Sequence, residues 1–438
     1  MAPFVRSLAL AGILLPAIGF IYLQSNESDE MVANYRQQLS QCSRGSCRGN
    51  GSHRRIAGAA SCTCERLEPR QFLSASPAIT ADQASTLTVT VGPHVAKFAQ
   101  FVDAEGNSDI FSIKGPGTAT INFEGSDLAA TTAKGGGQLV GGSGIGITSI
   151  SVTGTNSHTS VLFSLARRTA AHAPLPVGGL TTDGPVGALS GNIDITGAAT
   201  IGGALGKVSV SGLDGGTSTS LTASSIGSLT DLGNLGESIS VSGAIGKVIV
   251  KGTVTGSISG GLITSLTVGG NITGSTITLG QPFIQRHSDL GKLTVAGTVS
   301  ASAINAAGTI GPVAVGALSD SSIEAGVTLP SGVGNNGGLP TALSEFTSDA
   351  TISSVKASST AGTDIAAFTI GKVALGSVQT NNGGVPFGLA GATIAQATGI
   401  ASLNGKKFNF KKLNNEATVA ADLAKLGITG TDFTITIV

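Results

Sequence analysis

No tryptophan occurs in this chain of 438 residues and only two tyrosines do, so aromatic residues make up 4%. Proteins that read single-stranded nucleic acid stack bases on aromatic side chains along a basic groove. That pattern is missing, so nucleic acid is not an expected partner. Charge is scarce too: 11% of residues are Asp, Glu, Lys or Arg, against roughly 25% in ordinary domains. The 65 glycines do not recur at every third position, which excludes a collagen-like helix. No G-x-S-x-G nucleophile motif is present. The histidines, His53, His94, His158, His172 and His287, stand far apart with no partner at metal-ligand spacing. Cysteine is absent after Cys64. What remains is Gly, Ser, Thr and aliphatics, with a mean hydropathy of +0.31, too high for a solvated disordered chain.

The first 74 residues differ from the rest. They carry eight Arg, no Lys and five acids, whereas the remainder carries 17 basic and 20 acidic residues. After Arg6 an apolar run extends from Leu8 to Leu23, interrupted by Pro16. It is shorter than the about 20 residues a spanning helix needs. Arg6, the Leu8–Leu15 core and Ala17-x-Gly19 match the three regions of an export signal. Residues 1–23 are expected to be that signal or, if retained, an anchor and the only membrane contact. Cys42, Cys47, Cys62 and Cys64 space as C-x4-C and C-x-C, a poor match to paired zinc knuckles. Free thiols in an unstructured leader over 24–75 are the plain reading. Four cysteines in an exported chain also permit two disulfides, in any of three pairings.

The leader ends in ERLEPRQFLSA, residues 65–75. Pro69 forbids a continuing helix and pushes Glu68 towards an extended backbone. Leu67, Glu68, Pro69, Arg70, Phe72 and Leu73 resemble the LEPR-XLL motif of exported, often very long planctomycete proteins. Phe72 stands where that motif has its first paired leucine, and 64 residues precede Glu65. The resemblance covers about ten residues and concerns sorting. It implies an envelope, surface or extracellular destination and a low-complexity, β-rich body.

Residues 76–144 read as short antiparallel strands. STLTVTVG and GTATINFEG alternate, and KFAQFVD, a turn and DIFSIKG make a hairpin. Asp103, Glu105, Asn107 and Asp109 lie two apart, as in a calcium loop. The required glycine and distal glutamate are missing, so a solvated acidic turn is the better reading.

From residue 145 one phrase recurs: an aliphatic, two residues, an aliphatic, one residue, often Val. Its anchors are Ile147, Leu205, Ile226, Ile245, Ile263, Leu290, Ile310, Ile352, Ile370 and Ile400. From Leu205 most steps are near 20 residues; the 42 between Ile310 and Ile352 reads as about two steps. A loose period with V-x-V cores and glycine corners is a solenoid signature. Stacking lets each thin repeat bury an apolar face that it could not bury alone. The expected fold is therefore all-β: a parallel β-helix of about 11–13 coils over 145–405. The antiparallel segment caps one end. Residues 406–438 cap the other as a helix followed by a strand, with Asn415 starting the helix and Gly427 stopping it.

β-Helix enzymes acting on polysaccharides gather carboxylates on one face. Counted from each anchor, Asp214, Asp231, Glu237 and Asp320 put no pair in phase on adjacent repeats. Lys207, Lys247, Lys292 and Lys372 do share a phase, two residues past their anchors, with Ser228 and Ser265 between. They read as edge lysines that discourage sheet association, or as a spaced ladder for anionic glycans. No catalytic residue, metal or cofactor is expected. The expected function is structural or adhesive, with an envelope polysaccharide or protein as partner. A polysaccharide lyase or hydrolase is the alternative.

Overall fold

Alternation carries the first elements. Ser85–Val91 buries Val89 and Val91 and pairs antiparallel with Thr118–Ala133, which pairs antiparallel with Gly137–Thr153. Phe98–Asp103 and Ser108–Lys114 form the expected hairpin. The computed structural model describes residues 85–166, 173–215, 219–280, 288–328, 338–428 and 430–438. The export signal, the four cysteines and the LEPR-like residues Leu67, Glu68, Pro69, Arg70, Phe72 and Leu73 lie outside the described residues. Among those described, the strands form one 33-stranded sheet and no helix is long and apolar enough to cross a membrane.

Beyond the antiparallel segment the pairing is mostly parallel, between strands about one repeat apart. It runs in three ladders, numbered here as the chain first visits them. The first passes through Leu175–Val177 and Ile193–Ile195, then the stacked single residues Leu213, Leu235, Val254 and Ile272. The second includes Ser220–Ala223, Ser238–Val241, Ile258–Gly260, Thr276–Leu279, Ala303–Ala306, Ser322–Ala325 and Asp364–Ala367. The third includes Ala204–Val210, Ser225–Asp231, Ala244–Val250, Leu262–Val268, Thr309–Ser319, Thr351–Lys356 and Thr369–Val378. The chain visits the ladders in turn, a large, mostly parallel arrangement compatible with a β-helix.

Eight of the ten sequence anchors fall into one column of the third ladder. Leu205, Ile226, Ile245, Ile263, Leu290, Ile310, Ile352 and Ile370 are successive register partners. Each is at most 1% exposed, so the column is a line of core side chains. Two anchors do not belong. Ile147 pairs with Val177 in the first ladder, and the partner of Ile370 is Ile394, not Ile400. The 42-residue step is also one rung, not two: Ile310 and Ile352 pair directly, and the extra chain, including the 3-10 turn Leu343–Glu345, leaves between them.

Most large rings collect at the two ends, although the half-buried Phe346 and Phe368 meet edge-on at 6.2 Å between centroids. Phe101 meets Phe123, and Phe111 meets Phe163, edge-on at 5.1 Å between centroids. At the far end Phe387 lies 5.6 Å from Phe433, and Phe408 stacks on Phe410 at 5.3 Å. Val, Ile, Leu and Ala fill the rungs between, as a thin interior requires. The C-terminal segment begins with Lys407–Leu413, antiparallel to Thr393–Ala401. The helix Glu416–Leu426 follows, its N-cap Asn415 accepting from the Thr418 N–H at 3.2 Å and its C-cap Gly427 at φ 67°. Phe433–Ile437 closes parallel to Phe387–Gly391.

One inner corner is polar. The Ser275 N–H donates to Ser302 Oγ at 3.1 Å, and the Ser302 N–H donates to Ser321 Oγ at 3.2 Å. All three serines are 0% exposed. Small hydroxyls here satisfy backbone groups where the chain turns between ladders.

Candidate functional site

The lysine column is real in register. Lys207 pairs with Ala188 on one side and Ser228 on the other. Lys247 lies between Ser228 and Ser265. Lys292 sits between Leu290 and Leu293, whose partners are Ile263 and Leu266, so it continues the column beyond Ser265. Pro312 and Ser354 precede Lys372, and Gln396 links Lys372 to Lys411. Strict alternation would put these lysines on the side of their anchors, but each strand breaks step there. Two unburied positions in a row, such as Gly206 and Lys207, separate the buried anchor from the next buried residue, and each lysine is exposed. Strands flank them on both sides, so protection of a free sheet edge does not explain them.

A groove of about 650 Å³ opens over the first ladder. Its lining includes Ser319, Ser359, Thr360, Ser377, Gln379 and Thr380 and no charged side chain. Hydroxyls and amides in a shallow, open groove can hydrogen-bond a neutral polar ligand, but they supply no general acid or base.

The carboxylates are placed otherwise than their phase predicts. Asp194 and Asp214 occupy neighbouring rungs, and the Asp214 N–H donates to Asp194 Oδ1 at 3.2 Å. Gly212 makes room: a Cβ there would come within 2.6 Å of Asp194 Oδ1. Asp231 takes a core position in line with Val210 and Val250 and is 0% exposed. Its Oδ1 accepts from the Gly233 N–H at 2.9 Å, while its Oδ2 has no hydrogen-bond partner. Burial, with the charges of Asp194 and Asp214 added, pushes its carboxyl up to about 6. Glu237 is also 0% exposed, and neither carboxyl oxygen has a hydrogen-bond partner. Burial, helped by Asp194, pushes it up to about 8, so it is a neutral acid at pH 7.

A second pair lies on the second ladder. Ser322 pairs with Asp364, and Glu324 with Ala366, so the two acids sit two positions apart on neighbouring strands, on the side away from Ile323 and Ile365. Glu324 is pushed up to about 7 by burial and by the charge of Asp364. Asp364 is pushed up to about 6 by burial, opposed by the Gly388 N–H that donates to it at 3.2 Å. Asn305 is the register partner of Glu324, and its Oδ1 is buried without a partner. Asp364 itself is 1% exposed, and none of the described cavities is lined by either acid.

Sequence counting missed both groups for identifiable reasons. Asp194 and Asp214 are 20 residues apart, one period, but Asp194 falls in the long gap between the anchors Ile147 and Leu205, where no phrase was counted. Glu324 and Asp364 straddle the inserted chain, and only aligning SIEA with DIAA reveals their proximity. The acidic turn is a turn, but not a fully solvated one, since Asp103 is 5% and Asp109 4% exposed. Asp103 accepts from the Asn107 backbone N–H at 2.7 Å and from its side chain at 3.0 Å, while Glu105 is exposed. Among the described residues no group of three or more His, Cys, Asp or Glu could hold a metal ion. Comparison of the chain with family models, curated proteins and solved structures finds no match.

Proposed function

We propose that residues 145–405 wind as a parallel β-helix and that the protein is an exported, non-enzymatic structural or adhesive component of a bacterial envelope. The observation that carries this reading is the unbroken column of eight aliphatic anchors, each paired to the next. Such a column makes a long body whose exposed sides are mainly Ser, Thr, Ala and Lys. The open neutral groove and the absence of charged lining support contact with polysaccharide or protein over turnover of a substrate. The export part rests on residues 1–23 and on the LEPR-like stretch. Cell fractionation with N-terminal sequencing of the mature chain tests it; an intact chain recovered from the cytosol would overturn it. Winding is tested by a Lys207→Cys/Ser228→Cys pair, which cross-links within one chain only if those rungs stack.

Glu324 and Asp364 favour the second reading, a polysaccharide lyase or hydrolase. Two carboxyls whose surroundings hold them near neutrality are what acid–base cleavage uses. The near-complete burial of Asp364 weighs against it. Release of new chain ends from an acidic polysaccharide, abolished by Glu324→Gln, would establish that reading in place of the first.

A further inference from the structure

We propose that the exposed side of the third ladder is a binding face for an extended acidic polysaccharide, with carboxylate or sulfate groups recurring along its length. The proposal deepens the adhesive reading and rests on it. Its basis is a segregation of charge. Lys207, Lys247, Lys292, Lys356, Lys372 and Lys411 all lie on strands of this ladder or between two of its paired positions, and all are exposed. No acid on those strands is exposed: Asp231 is 0% and Asp289 5% accessible. Asp194, Asp214, Glu324 and Asp364 sit on the first and second ladders or their corners, while the exposed Asp349 lies at the corner that enters the third-ladder strand Thr351–Lys356. None of the six lysines has a carboxylate partner among the described residues, where the ion pair is Lys425 with Asp422. Among the described residues the positive charge of this face is therefore not neutralised by ion pairs.

The spacing then defines the ligand. Lys207, Lys247 and Lys292 occupy alternate rungs, so they stand about 10 Å apart, twice the strand spacing. That is the scale of a disaccharide repeat in an extended chain, which would bring one anion to each lysine. From Lys207 to Lys411 the column spans nine strand steps, about 40 Å. Between the lysines the column holds Ser228, Ser265 and Ser354, short side chains that let a sugar ring approach and offer hydroxyls, together with Pro312 and Gln396. Among the described residues this side offers no exposed aromatic ring for base stacking, since Phe408 and Phe410 are 4% and 7% exposed. Nucleic acid lacks its usual platform here.

The experiment uses the purified full chain and two probes, polygalacturonate and neutral dextran, with binding measured by calorimetry across a salt series. Expected is binding of polygalacturonate alone, with log affinity falling against log salt at a slope of about −2 to −4, as three to six neutralised anions require. Lys207→Gln/Lys247→Gln/Lys292→Gln should weaken it about tenfold or more, and the matching triple substitution to Arg should retain it. Lys97→Gln/Lys114→Gln/Lys134→Gln makes the same charge change off the face and should leave affinity unaltered. Three results would overturn the proposal: no binding by the wild-type chain, equal weakening by the off-face triple, or tighter binding of single-stranded DNA. Binding is read on purified protein and export on fractionated cells, so either reading can fail alone.

Discussion

Glu237 shows what a single side chain reveals about this interior. It points into an inner corner with both carboxyl oxygens unpartnered, in a place where nearby rungs have Gly256, Ser275 and Ser302. A buried polar group left unpaired costs about 1–3 kcal/mol. Glu237→Leu should therefore raise the unfolding free energy by about that amount at pH 7, read by denaturant titration. The pH profile gives a second check. The folded carboxyl keeps its proton up to about 8, while in the unfolded chain it ionises from its ordinary 4.5 upward. Between those values the unfolded state binds fewer protons, so stability falls as pH rises through the window. Glu237→Gln should flatten that fall; an unchanged slope would show that the carboxyl is not titrating as described. Asp231 is a different case. Its Oδ1 accepts from the Gly233 N–H, so Asp231→Val would leave that backbone donor without its acceptor as well as remove a buried acid.

Rungs and caps call for different expectations. Ile245 is 0% exposed and in register with Ile226 and Ile263, so Ile245→Ala leaves a cavity between two neighbours that cannot collapse independently. A loss of about 2–5 kcal/mol is expected by chemical denaturation. Asn415 caps a helix on the outside of the far end, and Asn415→Ala should cost about 0.5–2 kcal/mol, felt mainly as local opening in hydrogen exchange. The elements differ likewise in how well sequence announced them. Hairpin, helix and cap were legible because their signals are local: alternation, Asn415 at the start, Gly427 at the stop. The third ladder was legible because its aliphatic phrase keeps its internal spacing, although the steps between copies run from 18 to 42 residues. The first ladder was not, since several of its rungs are single stacked residues such as Leu213 and Leu235, too short to leave a pattern. The acids of the second ladder were hidden for another reason. Proximity across a 42-residue step depends on where the extra chain leaves and returns, and spacing alone does not carry that information.

Across the whole molecule the raised carboxyls act in one direction. Asp231, Glu237, Glu324 and Asp364 are each pushed upward by burial. Each therefore takes stability away as pH climbs from its ordinary value to its folded one. The protein should melt highest near pH 4 and progressively lower up to about pH 8, a trend that calorimetric scans would reveal and a flat profile would contradict. The same long-range view gives meaning to the rung where Ile310 meets Ile352. Pairing resumes there after a long detour as though nothing had intervened. Lengthening such a detour is cheap, about 0.6 kcal/mol per doubling. Foreign peptide spliced in beside Leu343, which is 54% exposed, would thus be carried beside ladders that stay paired, turning the chain into a ready-made display scaffold.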